Sequence, residues 1–133
     1  MITPRVMAES AKIRTINTAI AALEAGADIG GVPFFICPKD VEIIRAGVIV
    51  TTKLTGHADK CTIEVKNGTT VIAGDEYKNG DTVNAGTYSE LILAASQAKQ
   101  PQGSILTCSV TNGTGQASPA MVLQVDYIID EDV

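Results

Sequence analysis

Read two residues at a time, the segment SPAMVLQVDYIIDEDV separates into two columns. Met121, Leu123, Val125, Tyr127 and Ile129 form a wholly apolar column, while Val122, Gln124, Asp126, Ile128 and Asp130 form a mixed one. Alternation sustained over this length predicts a strand with one buried face. The same period recurs upstream. VEIIRAGVIVTTKL predicts a long strand with Ile44, Ala46, Val48 and Val50 on one side and Val41, Ile43, Arg45, Gly47 and Ile49 on the other, both sides largely apolar. In CTIEVKNGTTVIAGDEY, Cys61, Ile63 and Val65 alternate with Thr62, Glu64 and Lys66 before Asn67-Gly68. That dipeptide is a strong hairpin signal, and Thr69 to Ala73 is the expected returning strand. SILTCSVTNG sets Leu106, Cys108 and Val110 against Ile105, Thr107, Ser109 and Thr111, and in TYSELILAAS Leu91 and Leu93 share a face. VPFFIC is a further strand, stopped by Pro38 and confined by Pro33 to a sheet edge or to the first residues of the strand.

One stretch supports two readings. In KIRTINTAIAALEAG, Ile16, Ile20 and Leu23 lie at helical spacing with Gly26 as a stop, whereas Thr15, Ile16 and Thr18 suit a strand. The surrounding β pattern favours the strand. Residues 1–11 carry Pro4 and no period, and they read as an N-terminal arm. The whole gives roughly seven or eight strands spaced about 8 to 14 residues apart, joined by Gly-rich connections. The expected fold is all-β: an antiparallel β-sandwich, jelly-roll-like, occupying residues 12–133 behind the arm.

Composition narrows the chemistry. The chain has 133 residues, enough for one domain with a real core, and is 45% hydrophobic but only 4% aromatic with no Trp. The core is therefore expected to be Val, Ile, Leu and Ala. A formal net charge of −5 argues against nucleic acid and against an anionic membrane surface as partners. The first 26 residues are broken by Glu9, Lys12, Arg14 and Glu24, so they do not resemble a secretion signal, and no window is apolar enough to span a membrane.

Candidate reactive groups are few. Cys37, Cys61 and Cys108 lie in apolar runs without zinc spacing and are expected to be small buried side chains kept reduced. His57, the one histidine, has Asp59 two residues away, and Cys61 falls on the apolar column of its strand. That does not make a nucleophile–base pair. Asp75, Glu76, Asp81 and Glu90 sit among Gly, Asn and Lys, which describes a turn better than a dry carboxylate pair, and DEYKNGD lacks the order of a calcium loop. Asn67 and Asn112 each begin a glycosylation sequon, but in both the following glycine is expected to serve a tight turn. Tyr77 and Tyr88 are the rings available to stack on a sugar. No catalytic, cofactor-binding or metal site is expected, and the chain is not expected to be an enzyme.

The phrases ending in Cys37-Pro38-Lys39-Asp40, VEIIRAGVIV, TIEVKNGTTVI, NAGTYSELIL and LTCSVTNGTGQASPAMVLQVDY together resemble small jelly-roll decoration (cement) and head-surface proteins of tailed bacteriophages. The resemblance runs over residues 30–129 and is one of pattern, without an invariant motif. It implies a virion protein, assembled in the host cytoplasm, that binds the major capsid protein on the outer shell as a homo-oligomer, most simply a trimer. It carries no catalytic residues.

The residues point the same way independently. Ile43, Ile49, Val122 and Ile128 are aliphatic yet fall opposite the expected core face, and they are the candidate oligomer or capsid interface. The competing reading is that the fold covers them itself, within a curved sandwich or beneath the N-terminal segment. A receptor- or glycan-binding fibre module and an enzyme of unrecognised type are the other function classes considered.

Overall fold

The computed structural model describes residues 12–129; residues 1–11, read from the sequence as an arm, and residues 130–133 lie outside the described residues. The strands are β1 (Arg14–Ile20), β2 (Asp28–Ile36), β3 (Val41–Val50), β4 (Leu54–Thr55), β5 (Cys61–Asn67), β6 (Thr70–Tyr77), β7 (Thr82–Val83), β8 (Tyr88–Glu90), β9 (Ile92–Leu93), β10 (Lys99–Gln100), β11 (Ile105–Asn112) and β12 (Met121–Ile129), with one 3₁₀ turn at Ala95–Gln97. All named strands pair antiparallel. The first sheet runs β1-β12-β3, with β8 and β10 both lying along the far edge of β3; the second runs β2-β11-β5-β6-β9; β4 and β7 form a small ribbon. Set aside the two-residue strands, and the chain crosses between the two main sheets in the manner of a jelly roll, with β1, β12, β3 and β8 in one and β2, β11, β5 and β6 in the other.

The ambiguous stretch at 13–25 resolves as a strand over Arg14–Ile20, with a turn after it. β1 pairs with β12 in unbroken register from Arg14↔Tyr127 to Ile20↔Met121, and a helix there would leave that edge of β12 unpaired. Its Thr and Ile residues are the β-branched types that pack well on a pleated surface. Gly26 then turns the chain at φ +77°, and the predicted hairpin turn at Gly68 sits at φ +63°.

The two sheets enclose one aliphatic core. Ile20, Val48, Val50, Met121, Leu123 and Val125 face inward from the first sheet, and Ile63, Val65, Ile72, Leu106, Cys108 and Val110 from the second. Burying each Leu, Ile or Val side chain contributes about 1.5–3 kcal/mol, so the cluster compensates for the near absence of aromatic rings. One ring pair supplements it: Phe35 of edge strand β2 and Tyr127 of β12 meet with centroids 4.9 Å apart. Pro33 lies in that edge strand, as its missing N–H requires.

Strict alternation fails at one position in β3. Arg45 pairs with Asp126 and Ile43 with Tyr127, so Ile44 has no partner of its own and forms a bulge. The bulge reverses the facing of everything before it. Val41 and Ile43 turn into the core, at 0% and 2% exposure, and Ile44 turns out to 38%. Ile43 is thus a core residue and not part of an outer face, because the extra residue shifts its parity by one. β6 carries a second irregularity, opposite Val65 and Lys66, that lets the consecutive residues Ile72 and Ala73 both be buried.

The cysteines are free and buried, as their apolar settings indicate. The loop after β11 is more ordered than its polar composition suggests. Gln116, only 1% exposed, accepts a hydrogen bond from the His57 backbone N–H (2.7 Å) and donates from Nε2 to the carbonyls of Thr55 (2.9 Å) and Ala117 (2.6 Å). Gly113 serves this loop by close approach rather than by a tight hairpin turn, since a Cβ there would collide with the backbone carbonyl of Asp59. Gly56 is pressed against the Lys78 backbone in the same way. Gly113→Ala and Gly56→Ala are each expected to destabilise the fold by about 1–3 kcal/mol, because backbone must move. Gly30→Ala, which meets open space, is expected to stay within about 0.5 kcal/mol of the unmodified protein. Urea denaturation of the three variants checks the contrast.

Candidate interaction surface

With one face of each sheet committed to the core, any contact surface is built from the opposite faces and the edges. On the outer face of the first sheet, strand register aligns three rows. Ala19, Val122, Ile49 and Tyr88 form the first; Asn17, Gln124, Gly47 and Glu90 the second; Thr15, Asp126 and Arg45 the third.

The third row is a polar clamp. Asp126 Oδ2 accepts from Arg45 Nε at 2.7 Å and Oδ1 accepts from the Thr15 hydroxyl at 2.7 Å, tying β1, β12 and β3 together across the sheet. The Arg45 guanidinium also lies 5.3 Å from the centroid of the Tyr88 ring. That ring covers Gly47, where a Cβ would collide with it. Asp126 is 6% exposed although it sits on the outward side of its strand. Burial alone would push its carboxyl up, but the hydrogen bonds from Arg45 and Thr15 and the Arg45 charge outweigh burial and hold it below the usual carboxylate range. Part of the mixed column in β12 is therefore covered by the protein's own groups.

The remaining outward aliphatics do not form one patch. Ile49 and Val122 are direct cross-strand partners, both half-buried, with Tyr88 beside Ile49. Ile128 is also half-buried but lies opposite Glu42, about 20 Å along β12 from Val122 at strand rise. Ile43 is in the core.

More open apolar groups lie on the second sheet. Ile36 of β2 and Ile105 of β11 pair directly and are 64% and 49% exposed. At the opposite edge, Val71 and Ile92 flank Gly74 in an open groove of about 910 Å³ whose rim carries Glu64, Asp75, Glu76 and Asp81. Sequence reading passed over Ile36 because it lies inside an apolar run, VPFFIC, with no alternation to separate its faces. Ile105 carried a signal, standing opposite Leu106 and Cys108 in its strand.

Of the four carboxylates grouped by sequence, Asp75, Glu76 and Asp81 line the same open groove but are each engaged separately. Asp75 Oδ1 accepts from the Glu76 N–H (2.8 Å) and Asp81 Oδ2 from the Lys78 N–H (3.0 Å), while Glu76 pairs with Lys60 and Glu64 with Lys66. Glu90 lies on the other sheet beside Gly47. These are turn and edge contacts. His57 is exposed, Asp59 directs its carboxylate to the Gly115 N–H (2.8 Å), and Cys61 is wholly buried with its thiol pKa raised to about 11 by burial. Of the two rings considered for sugar stacking, Tyr77 is 5% exposed and Tyr88 is folded onto Gly47. Among the described residues no group of His, Cys, Asp and Glu side chains could hold a metal ion, and no helix is long and apolar enough to cross a membrane.

No protein-family model matches the chain, and no curated protein matches it. Among solved structures, the chain is similar to one described as "Bacillus endospore appendages form a novel family of disulfide-linked pili", at 11% identity and a TM-score of 0.44, with 90% of each chain covered. It is also similar to a chain in the structure of the infectious bursal disease virus Gx strain, at 19% identity and a TM-score of 0.32. That match covers 87% of this chain and 32% of the other.

The Asp126 clamp has a pH signature. A carboxyl held low in the folded state contributes stability that is complete above its unfolded pKa of about 3.9 and is lost as pH falls through the lower folded value. Asp126→Asn is expected to cost about 1–2 kcal/mol at pH 7, and the gap to the unmodified protein is expected to close as the pH falls below about 4. Thermal melts of both proteins between pH 2 and pH 7 measure it.

Proposed function

We propose that this chain is a structural subunit of a virion surface: a β-sandwich that docks as a homo-oligomer onto the major capsid protein of a tailed-phage head and stabilises the shell. The observation that carries the reading is the pair Ile36 and Ile105, two large aliphatic side chains directly opposed on an outer sheet face and left open to water. An isolated exposed aliphatic needs no explanation, but a paired one beside an edge strand is a preformed contact. Covering it contributes about 25 cal/mol for each Å² of apolar surface, with no specific chemical group required. Ile49 and Val122 supply a second, shallower contact on the other sheet.

The pattern resemblance to decoration proteins supports the finer assignment to a phage head. Repetition over a lattice suits such a surface, because many modest contacts add through effective concentration. Two alternatives draw less support. A glycan-binding module needs exposed rings, and both candidate tyrosines are occupied within the fold. Catalysis needs a converged constellation, and His57 is exposed in a loop while Cys61 is buried in the core, so these two do not supply a reactive pair.

Retention on shells tests the reading. The unmodified protein is expected to co-sediment with purified empty heads, and Ile36→Asp combined with Ile105→Asp is expected to reduce retention at least about tenfold, as loss of roughly 1.4 kcal/mol or more of docking free energy requires. Both positions are exposed, so an unchanged melting temperature should accompany the loss. Failure of the unmodified protein to sediment with heads overturns the capsid assignment. Undiminished retention of the double variant removes this pair from the contact.

A further inference from the structure

The edges of the two main sheets are not equivalent. A sheet edge offers unpaired N–H and C=O groups to any passing strand, and proteins blunt such edges with proline, bulges, short strands or local side-chain bonds. Most edges here are blunted. β2 contains Pro33 and Gly31 at φ +57°, and its register with β11 shifts twice. At the opposite side of that sheet, β9 is two residues long, and the Glu76 N–H of neighbouring β6 is taken by the Asp75 side chain. The far edge of the first sheet is divided between β8, of three residues, and β10, of two.

β1 carries only one blunting feature, the charge of Arg14 at its first position. Its seven residues, RTINTAI, contain no Pro and no Gly, and its register with β12 is unbroken. The Thr15 hydroxyl, bound to Asp126, holds the strand flat against the sheet rather than letting it fray. Among the described residues it is the one edge strand longer than three residues whose pairing is regular throughout.

We infer that β1 is the docking edge for a second copy of this chain. Two β1 strands pair antiparallel about a twofold axis at Asn17, so that their parent sheets join into one continuous sheet. The sequence of β1 suits itself in this register. Asn17 meets Asn17 of the second copy, Ile16 meets Thr18, Thr15 meets Ala19, and Arg14 meets Ile20, so no like charges oppose. A parallel pairing in register would stack Arg14 on Arg14. Because each residue meets one an even number of positions away, the core-facing and outward sides of the two copies stay aligned. Ile13, 48% exposed just before β1, comes to lie opposite Ala21 and diagonal to Ala19 of the second copy, which gives that side chain apolar neighbours. The inference does not depend on the phage-head reading, since the pairing concerns two copies in solution.

Asn17→Cys tests the axis. Directly opposed residues of an antiparallel pair have Cα atoms about 4.5–5.5 Å apart, within the range a disulfide spans. Asn17 is exposed, and the native cysteines are buried, so the new thiol is the accessible one. Mild oxidation of the full chain is expected to give a cross-linked pair on non-reducing gels. Ala19→Cys is expected to give none, since its own counterpart lies roughly 13 Å away in this register. Light scattering of the unmodified protein is expected to report twice the 13.9 kDa of one chain, and Asn17→Lys, which sets two ammonium groups face to face, is expected to return the mass to one chain with the fold intact. A single-chain mass at millimolar protein, a threefold particle, a two-chain mass without the Asn17 cross-link, or equal cross-linking at Ala19 would each overturn the inference.

Discussion

The pairing of β12 with a strand on each side joins β1 to the rest of the first sheet. Among the described residues, the last strand is inserted between the first, β1, and β3. Its inward column supplies much of the core, and its outward column anchors the clamp between Asp126, Arg45 and Thr15. β1 has no hydrogen-bonded neighbour in that sheet until β12 arrives, whereas β3 pairs with β8 and β10 without it. Such non-local pairing carries a loop-closure cost before its contacts form, which makes folding slow relative to fold size and strongly cooperative.

The alternation of β12 also shows where sequence reading works. Period-two patterns in β5, β11 and β12 identified the inward residues correctly, since nothing interrupts the pleat along those faces. β3 misled at Ile43 because a bulge is set by the partner strand as much as by the strand itself. VEIIRAGVIV alone does not reveal that Asp126 and Tyr127 will oppose three residues rather than two. The two-residue strands and the packing of Gln116 were equally hidden, since they depend on loops distant in sequence meeting one another. Residues 1–11, read from the sequence as an arm, lie outside the described residues.

Candidate surface residues were legible only in part. Val122 and Ile49 do lie together on an outer face, but Tyr88 and the polar clamp occupy the ground beside them. Ile128 is separated from them by the length of the strand. The most open aliphatic pair, Ile36 and Ile105, joins an edge strand to its neighbour, and that adjacency exists only once β2 and β11 have found each other. Composition correctly indicated a core of small aliphatics, and this has a bearing on function. The inward faces of both main sheets are filled by this core, so the outer faces and edges are the surfaces left to meet a partner.

The buried thiols have a practical bearing on durability. At neutral pH a thiol with a pKa near 11 is ionised on the order of one part in ten thousand, and only the ionised form attacks a disulfide or is readily oxidised. Cys37 and Cys108 are likewise pushed up by burial. In the folded protein, burial thus leaves these three thiols predominantly protonated and out of reach of a dissolved disulfide.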